Sequence, residues 1–589
     1  MVNRSNILYY FTIILMGILA LRLFQLQIVE HQKYKVLAKN NTTRTAITRA
    51  PRGIIYDRHG NILATSKQSL SVIVYPAALT KQKDKESVAR LLCTYVNMSY
   101  EDLYKIFDEM EPTTPLPLTL ENDVGIETAI RIFENQKQLP GIAVENQAIR
   151  YYPYQEITGH LLGYVGQINS NELEAARLRG LGLGDIVGKE ALEKVFDESL
   201  QGVKGEARVS VDRYGRSLKE GEGQKKIIKN PIKGEDLHLS IDIKLQQVAY
   251  EALENKQGAV VAMNPKTGEI LVLVSSPSYD PNTFTKPVPT AVFNDLMNRK
   301  AFVNRAISSF TPGSVWKPFT SLVALQKGVL NPAEKLRVSG SYNYGGFNFG
   351  DWTGKVDIVD LRQALAWSRN TYFYQIADRM KPEWIAEVGR NFGVGTKTNI
   401  ELLGESNGVL PSPEWKKKNM KESWYPGNTL HYSIGQSYLL ISPLQLARMY
   451  AGLATKGLVP SPHLVKDPNK VVIKQINSYA TKNYDIVEAG LKECIETGTG
   501  QASKLVGIKL AGKTGSAEVK GYAHTTHGWF AAYGPVENPE IVVVVFMEGA
   551  GHGGTVAAPV AKKVFDEYFK DKIKKPAKTK TRTVRRTRA

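Results

Sequence analysis

The sequence predicts a multidomain α+β protein held to a membrane by one N-terminal helix. Three observations predict it. At 589 residues the chain is long enough for two or more domains of about 100–200 residues each. One apolar run, residues 7–29, exceeds every later segment in length and hydrophobicity. From residue 236 onward, strand, helix and paired strands follow one another in the manner of an antiparallel sheet flanked by helices.

The first element is "ILYYFTIILMGILALRLFQLQIV", residues 7–29, behind a stub of residues 1–6. It is long enough to cross about 30 Å of hydrocarbon. Arg22 lies near its far end, where a long side chain snorkels to the interface. No A-x-A-like cleavage site follows, so the run reads as an uncleaved anchor rather than a secretory leader. Arg4 precedes the span and Arg22, Lys33 and Lys35 follow it, so charge alone leaves the orientation open.

Residues 30–217 read as a mixed α/β scaffold. "TRAPRGIIYDRHGNILATS" (48–66) has two short strands around an "RHGN" turn, a β-hairpin pattern. Residues 84–135 read mostly as helix, interrupted by "PTTPLPL". This region holds no clustered Ser, Lys or His and no paired carboxylates. The basic, Gly-rich residues 218–235 read as a linker.

Residues 236–569 form the expected second domain. "GAVVAMNPKTGEILVLVSS" is a hairpin, "VDIVDLRQALAWSRNTYFYQIADRM" is helical, and "VGIKLAGKTGSAEV" and "GWFAAYGPVENPEIVVVVFMEG" alternate like antiparallel strands before a closing helix. The tail 570–589 supplies about half of the net charge of +19, with almost no apolar residues, so it is expected to be disordered. It lacks the interleaved aromatics that stack on bases, which argues against a nucleic-acid partner. Cys93 and Cys494 are too few and too far apart for a disulfide framework or a CxxC metal site.

Chemistry concentrates in three short motifs. Ser314 and Lys317, in "SSFTPGSVWKPF", stand one helical turn apart and form the chain's only Ser-x-x-Lys pair. The spacing suits either a helix cap beside a solvated lysine or a lysine that activates the serine as a nucleophile. Ser368 and Asn370 make a Ser-x-Asn. Lys-Thr-Gly occurs at 266–268 and at 513–515. The first copy is a hairpin tip followed by Glu269, a carboxylate unsuited to an anion site; the second runs into Ser516 and a strand.

Ser-x-x-Lys, Ser-x-Asn and Lys-Thr-Gly in this order resemble the signature of penicillin-binding proteins and serine β-lactamases. "APRGIIYDRHGNILA", "NPKTGEILVLVSSPSYDPN", "NRAISSFTPGSVWKPF" and "HGWFAAYGP" extend the resemblance to class B penicillin-binding proteins over residues 48–569. "YPGNTLHYSIGQSYLLISPLQ" is most similar to the elongation-type members, with the division type as the alternative. The resemblance implies a pedestal domain and a penicillin-binding, β-lactamase-like transpeptidase domain. It implies a single-pass protein of the cytoplasmic membrane with its catalytic domain outside.

The implied reaction crosslinks peptidoglycan stem peptides through an acyl-enzyme; passing the acyl group to water, as in D,D-carboxypeptidases and β-lactamases, is the other outcome. Ser314 would attack the penultimate D-Ala carbonyl and release D-Ala. Lys317 would be the base, which requires it neutral although lysine titrates near about 10.4; burial and Lys513 would lower it. Ser368 would relay the proton and Asn370 orient Lys317. Lys513, Thr514, Gly515 and Ser516 would hold the terminal carboxylate, and the N–H groups of Ser314 and Ser516 would form an oxyanion hole.

The implied partners are β-lactams, an amine acceptor, a membrane-embedded glycosyltransferase and elongation scaffold proteins. No cofactor is expected. Some elongation-type members hold zinc between the first two motifs, but here "NYGGFNFGDWTGKVD" has neither Cys nor His, so no metal is expected. His524, His527 and His552 lack carboxylates at ligand spacing and read as loop or structural residues.

Overall fold

The computed structural model describes residues 4–35, 43–48, 50–80, 82–111, 117–169, 171–182, 184–210, 226–467, 471–518 and 526–573. Most of the Pro-rich stretch, residues 218–225 of the expected linker, His524 and residues 574–589 of the basic tail lie outside them. The chain divides into two compact units, residues 1–53 with 198–235 and residues 54–197 with 236–589.

In the first unit the helix Arg4–Phe24 continues into a π-helical turn, Gln25–Val29. Residues Asn6–Val29 have a mean hydropathy of 2.1, and among the described residues this is the one helix long and apolar enough to span a membrane. Its 24 residues would cover about 36 Å at the α-helical rise. Ile7, Phe11 and Leu21 are exposed, as expected of a helix whose covering is lipid rather than protein. Strands Thr43–Thr48, Gly205–Ser210 and Lys226–Lys229 make a small antiparallel sheet.

The second unit begins with the hairpin of β1 (Ile55–Tyr56) and β2 (Ile62–Val74). Its turn is fixed by Asp57, whose carboxylate accepts from the N–H groups of His59 and Asn61 at 2.8 Å each, with Gly60 at φ +86°. Helices α1 (Gln82–Leu92) and α2 (Tyr100–Glu109), strand β3 (Leu118–Glu121), helix α3 (Ile126–Glu134) and strand β4 (Ile142–Tyr151) follow. β4 pairs antiparallel with β2 from Thr65 to Val74. Val88, Leu92, Leu103 and Phe107 of α1 and α2 pack with Val72 and Val74 in the core beneath.

β5 (Leu237–His238) then pairs parallel with β1, so the residues after the expected linker rejoin the hairpin. Tyr152 N–H donates to Asn282 at 3.0 Å, and Gln246 donates to the Ile157 carbonyl at 3.2 Å. These bonds tie residues 54–197 to the segment beyond 236 within one unit.

That segment contains α4 (Ile243–Ala252), β6 (Gly258–Met263), β7 (Ile270–Ser276), α5 (Lys317–Gln326), α6 (Leu361–Ala366), α7 (Asn370–Ala377), α8 (Pro443–Ala454), α9 (Thr481–Glu496), β8 (Ala511–Glu518), β9 (Thr526–Gly534), β10 (Ile541–Met547) and α10 (Ala558–Ile573). The sheet is antiparallel, in the order β7-β6-β10-β9-β8. α4 and α10 bury Leu245, Ala249, Val564, Phe565 and Phe569 against Val260, Val543 and Val545.

α8 also packs on β6 and β10, and every residue of β6, β7 and β10 is buried. Helices therefore cover both faces, and β10 reads "IVVVVFM" rather than alternating as an open antiparallel strand would. β8 ends the sheet, leaving one edge unpaired by any strand among the described residues.

Candidate active site

Ser314 lies in a 3₁₀ turn, Gly313–Trp316, that runs into α5 with Lys317 first and Pro318 second. A 3₁₀ turn has three residues per turn, so side chains three apart eclipse each other. Ser314 and Lys317 are thus stacked more directly than on the α-helical face the sequence suggests.

The turn is held on all sides. Gly313 has φ +61° and donates to the Gly435 carbonyl at 2.9 Å. A Cβ on Gly313 would lie 2.8 Å from the Ser516 carbonyl oxygen, and one on Gly515 would lie 2.9 Å from that of Pro312. Backbone must therefore approach backbone here, which is why glycines stand at both positions. Trp529 Nε1 donates to the Thr311 carbonyl and the Tyr450 hydroxyl to that of Val315, both at 3.0 Å. Ser314 itself is half-buried, and among the described residues its Oγ has no hydrogen-bond partner.

Lys317 is completely buried. Its Nζ donates to the Ser368 carbonyl at 2.8 Å, to Asn370 Oδ1 at 2.7 Å and to Ser368 Oγ at 3.4 Å, and lies 5.2 Å from the Phe373 ring centroid. Burial first, and then the Lys513 cation, hold it well below the usual lysine range; Asp351 opposes the shift and Arg369 adds to it. No hydrogen bond joins Lys317 to Ser314 among the described residues, so stacking alone links the pair. Ser368, between α6 and α7, has φ +56°, a left-handed conformation that costs a non-glycine residue about 1 kcal/mol. It breaks the helical path just before Asn370, the first residue of α7.

β8 supplies the third group of residues. Lys513 is fully buried and donates to the Thr514 carbonyl at 3.0 Å. Burial brings its pKa down to about 8. Thr514 Oγ1 lies 2.6 Å from Thr499 Oγ1. Ser516 Oγ accepts from the Gly553 N–H at 3.3 Å and stands 3.3 Å from His552 Nδ1. The second Lys-Thr-Gly copy therefore reaches the Ser314 turn. The first is the β6–β7 turn: Lys266 is exposed and donates to Asn538 at 2.5 Å, while Glu269 pairs with Arg58 at 3.9 Å.

Sequence reasoning passed over Thr499, Asp351 and Arg369. The run "TGTGQAS" was a signal for the first, and the lone acid of "FNFGDWTGK" for the second. Of the three late histidines, His527 accepts from the Gly549 N–H at 3.1 Å and His552 faces Ser516. Among the described residues no group of three or more His, Cys, Asp or Glu converges.

Residues 258–566 match the family model of the penicillin-binding protein transpeptidase domain, and residues 47–239 match that of the penicillin-binding protein dimerisation domain. The chain belongs to the penicillin-binding proteins and is an enzyme of their transpeptidase class. More particularly, it is similar to the peptidoglycan D,D-transpeptidase MrdA of Acinetobacter baumannii, with 32% identity covering 96% of this chain and 87% of that one. It is also similar to penicillin-binding protein 2 of Helicobacter pylori, solved in complex with MreC: TM-score 0.77 and 27% identity over 90% of this chain and 99% of that one. A peptidoglycan synthase complex, described as coordinating polymerization and crosslinking, contains a chain with TM-score 0.71 and 29% identity over 98% of this chain and 99% of that one.

Proposed function

We propose that the chain is a peptidoglycan D,D-transpeptidase of cell elongation, with Ser314 as the acyl-enzyme nucleophile. The observation that carries this reading is Lys317, wholly buried at the head of α5 directly after the Ser314 turn and held at Nζ by Ser368 and Asn370. A buried lysine with no carboxylate hydrogen-bonded to it is neutral far more readily than a solvated one, and a neutral amine accepts a proton.

The donor stem peptide lies along the free edge of β8 as an added strand. Lys513, Thr514 and Ser516 hold its terminal carboxylate, with Gly515 letting the strand lie close against the turn. Ser314 Oγ gives its proton to Lys317 Nζ and attacks the penultimate D-Ala carbonyl. The N–H groups of Ser314 and Ser516 take up the developing oxyanion. The proton passes from Lys317 through Ser368 Oγ to the leaving nitrogen, and D-Ala departs. An acceptor amine then attacks the ester carbonyl, its proton passing through Ser368 Oγ to Lys317 Nζ; the bond from the acyl carbon to Ser314 Oγ breaks, and Ser314 Oγ takes that proton from Lys317. The peptide bond energy is kept in the ester, so the crosslink needs no ATP outside the cell. β-Lactams enter the first step and remain on Ser314.

The N-terminal helix anchors the chain in the cytoplasmic membrane with the catalytic domain outside. The relative bound to MreC and the synthase complex support scaffold proteins and a glycosyltransferase as partners. The test uses the full-length protein in detergent with a D-Ala-D-Ala stem peptide and an amine acceptor. Crosslinked product with D-Ala release is expected; hydrolysed donor alone, with acceptor present, would make it a carboxypeptidase.

The pH dependence follows from the two lysines. Lys317 must be neutral, so acylation rises as pH rises through its lowered pKa. Lys513 must be cationic to hold the carboxylate, and it loses its proton as pH rises through about 8. The apparent KM for a carboxylate donor should therefore climb above that pH, while a donor ending in a carboxamide should show no such rise.

A further inference from the structure

Lys317 hangs from the Ser368–Asn370 turn, and that turn is tied to one upstream segment. Asn370 Nδ2 donates to the Gly350 carbonyl at 3.3 Å. The Thr371 N–H and hydroxyl both donate to Asp351 Oδ2, at 3.1 and 3.0 Å. Arg369 Nε reaches the same oxygen at 3.4 Å, and Arg369 Nη2 donates to the carbonyls of Lys355 at 2.7 Å and Ser339 at 3.5 Å. Trp352 Nε1 donates to the Trp367 carbonyl at 3.0 Å. Every residue from Trp367 to Thr371 except Ser368 thus holds residues 339–355, and Ser368 holds Lys317.

The pair at the centre is sealed from water: the Asp351 and Arg369 side chains are 0% and 5% exposed. Burying an ion pair costs desolvation that its attraction only roughly offsets, so stability alone explains such a pair poorly. Its surroundings supply another reason. The charged groups that bear on Lys317 are Lys513 from β8, Arg369 from the α6–α7 turn and Asp351 from the upstream segment. Its direct contacts, Ser368, Asn370 and Phe373, are neutral.

We propose that Asp351 and Arg369 act as one positioning pair for Lys317, pinning the Ser368–Asn370 turn while cancelling each other's charge beside the lysine. Neither touches substrate; both act through the turn and through charge. The proposal rests on Lys317 being the base. It makes an unusual demand, since removing either member should disturb the site in opposite electrostatic directions although both loosen the same clamp.

The test is acylation of the full-length protein by a fluorescent penicillin across acid to mildly alkaline pH, with thermal melting alongside. Asp351→Asn leaves the Arg369 cation unopposed, so Lys317 sheds its proton more easily and the acid limb moves to lower pH. Arg369→Gln leaves the Asp351 anion unopposed, and the limb moves to higher pH. Each shift should be about one pH unit, with a fall of about tenfold in the maximal rate. The double variant carries no unpaired buried charge and should return the limb to its native position while the rate stays low. Arg369→Lys keeps the charge and should leave the limb unmoved.

Limbs that move the same way in both single variants, or do not move at all, would overturn the proposal whatever the melting temperatures. If the single variants do not fold, a double variant as fast as the native protein would overturn it. Penicillin labelling that survives Ser314→Ala would instead undo the functional reading beneath it.

Discussion

Ser314→Ala will lower covalent labelling by penicillin, and stem-peptide crosslinking, by about four orders of magnitude or more, the scale on which removing a covalent nucleophile acts. The fold will barely register the change. The Ser314 hydroxyl has no hydrogen-bond partner among the described residues, and the turn around it is fixed by backbone, Trp529 and Tyr450. Losing the hydroxyl therefore strands no buried polar atom. Gel fluorescence after penicillin treatment, with a melting curve, reads both halves; undiminished labelling would place the nucleophile elsewhere.

Lys513→Ala will lower kcat/KM for a carboxylate donor about a thousandfold, whereas Lys266→Ala will leave it within about twofold, because in the proposed reaction only the first lysine meets the anion, and does so in a desolvated site. Lys513 is fully buried in β8; Lys266 is an exposed turn residue bonded to Asn538. Losing Lys513 also removes a cation that lowers the Lys317 pKa, so the acid limb of acylation should move to higher pH. Steady-state kinetics with carboxylate and carboxamide donors separate the effects: the carboxamide loses the binding defect and keeps the shifted limb. Equal effects at the two lysines would refute the assignment.

Much of the fold was legible because its signals are local. The anchor, the 48–66 hairpin and the closing strands each announce themselves within about twenty residues. What was not legible lies in pairings distant in sequence. Nothing near Leu237 says that it runs beside Ile55, so that parallel pairing carries no local signal.

The site divides in the same way. Motif spacing brought forward Ser314, Lys317, Ser368, Asn370 and Lys513 because each motif is short, and chain order set them together by resemblance. The structure brings those residues together. Glu269 set the two Lys-Thr-Gly copies apart, and the first does form the β6–β7 turn, since a hairpin tip is itself a local signal. Asp351 and Arg369 stayed hidden because the charge of each is meaningful only against the other, eighteen residues away. The 3₁₀ geometry at Ser314 also escaped, since i and i+3 suit an α-helix as well and only the crowding by Gly435 and Ser516 decides.

The free edge of β8 has an evolutionary consequence. A ligand laid along it bonds to main-chain groups, which every amino acid carries alike. An inhibitor that imitates the substrate's own backbone there takes bonds that no substitution removes, and the side chains left to change, Lys513, Thr514 and Ser516, are ones the proposed native donor needs as well. Escape that spares that clamp must come from altering the path of the strand itself, and the close backbone approach at Gly515 and Gly313 leaves little slack for that. Resistance through this enzyme should accordingly arise around the edge, in residues that shift β8 or its access, and each such change should tax the native reaction along with the drug's.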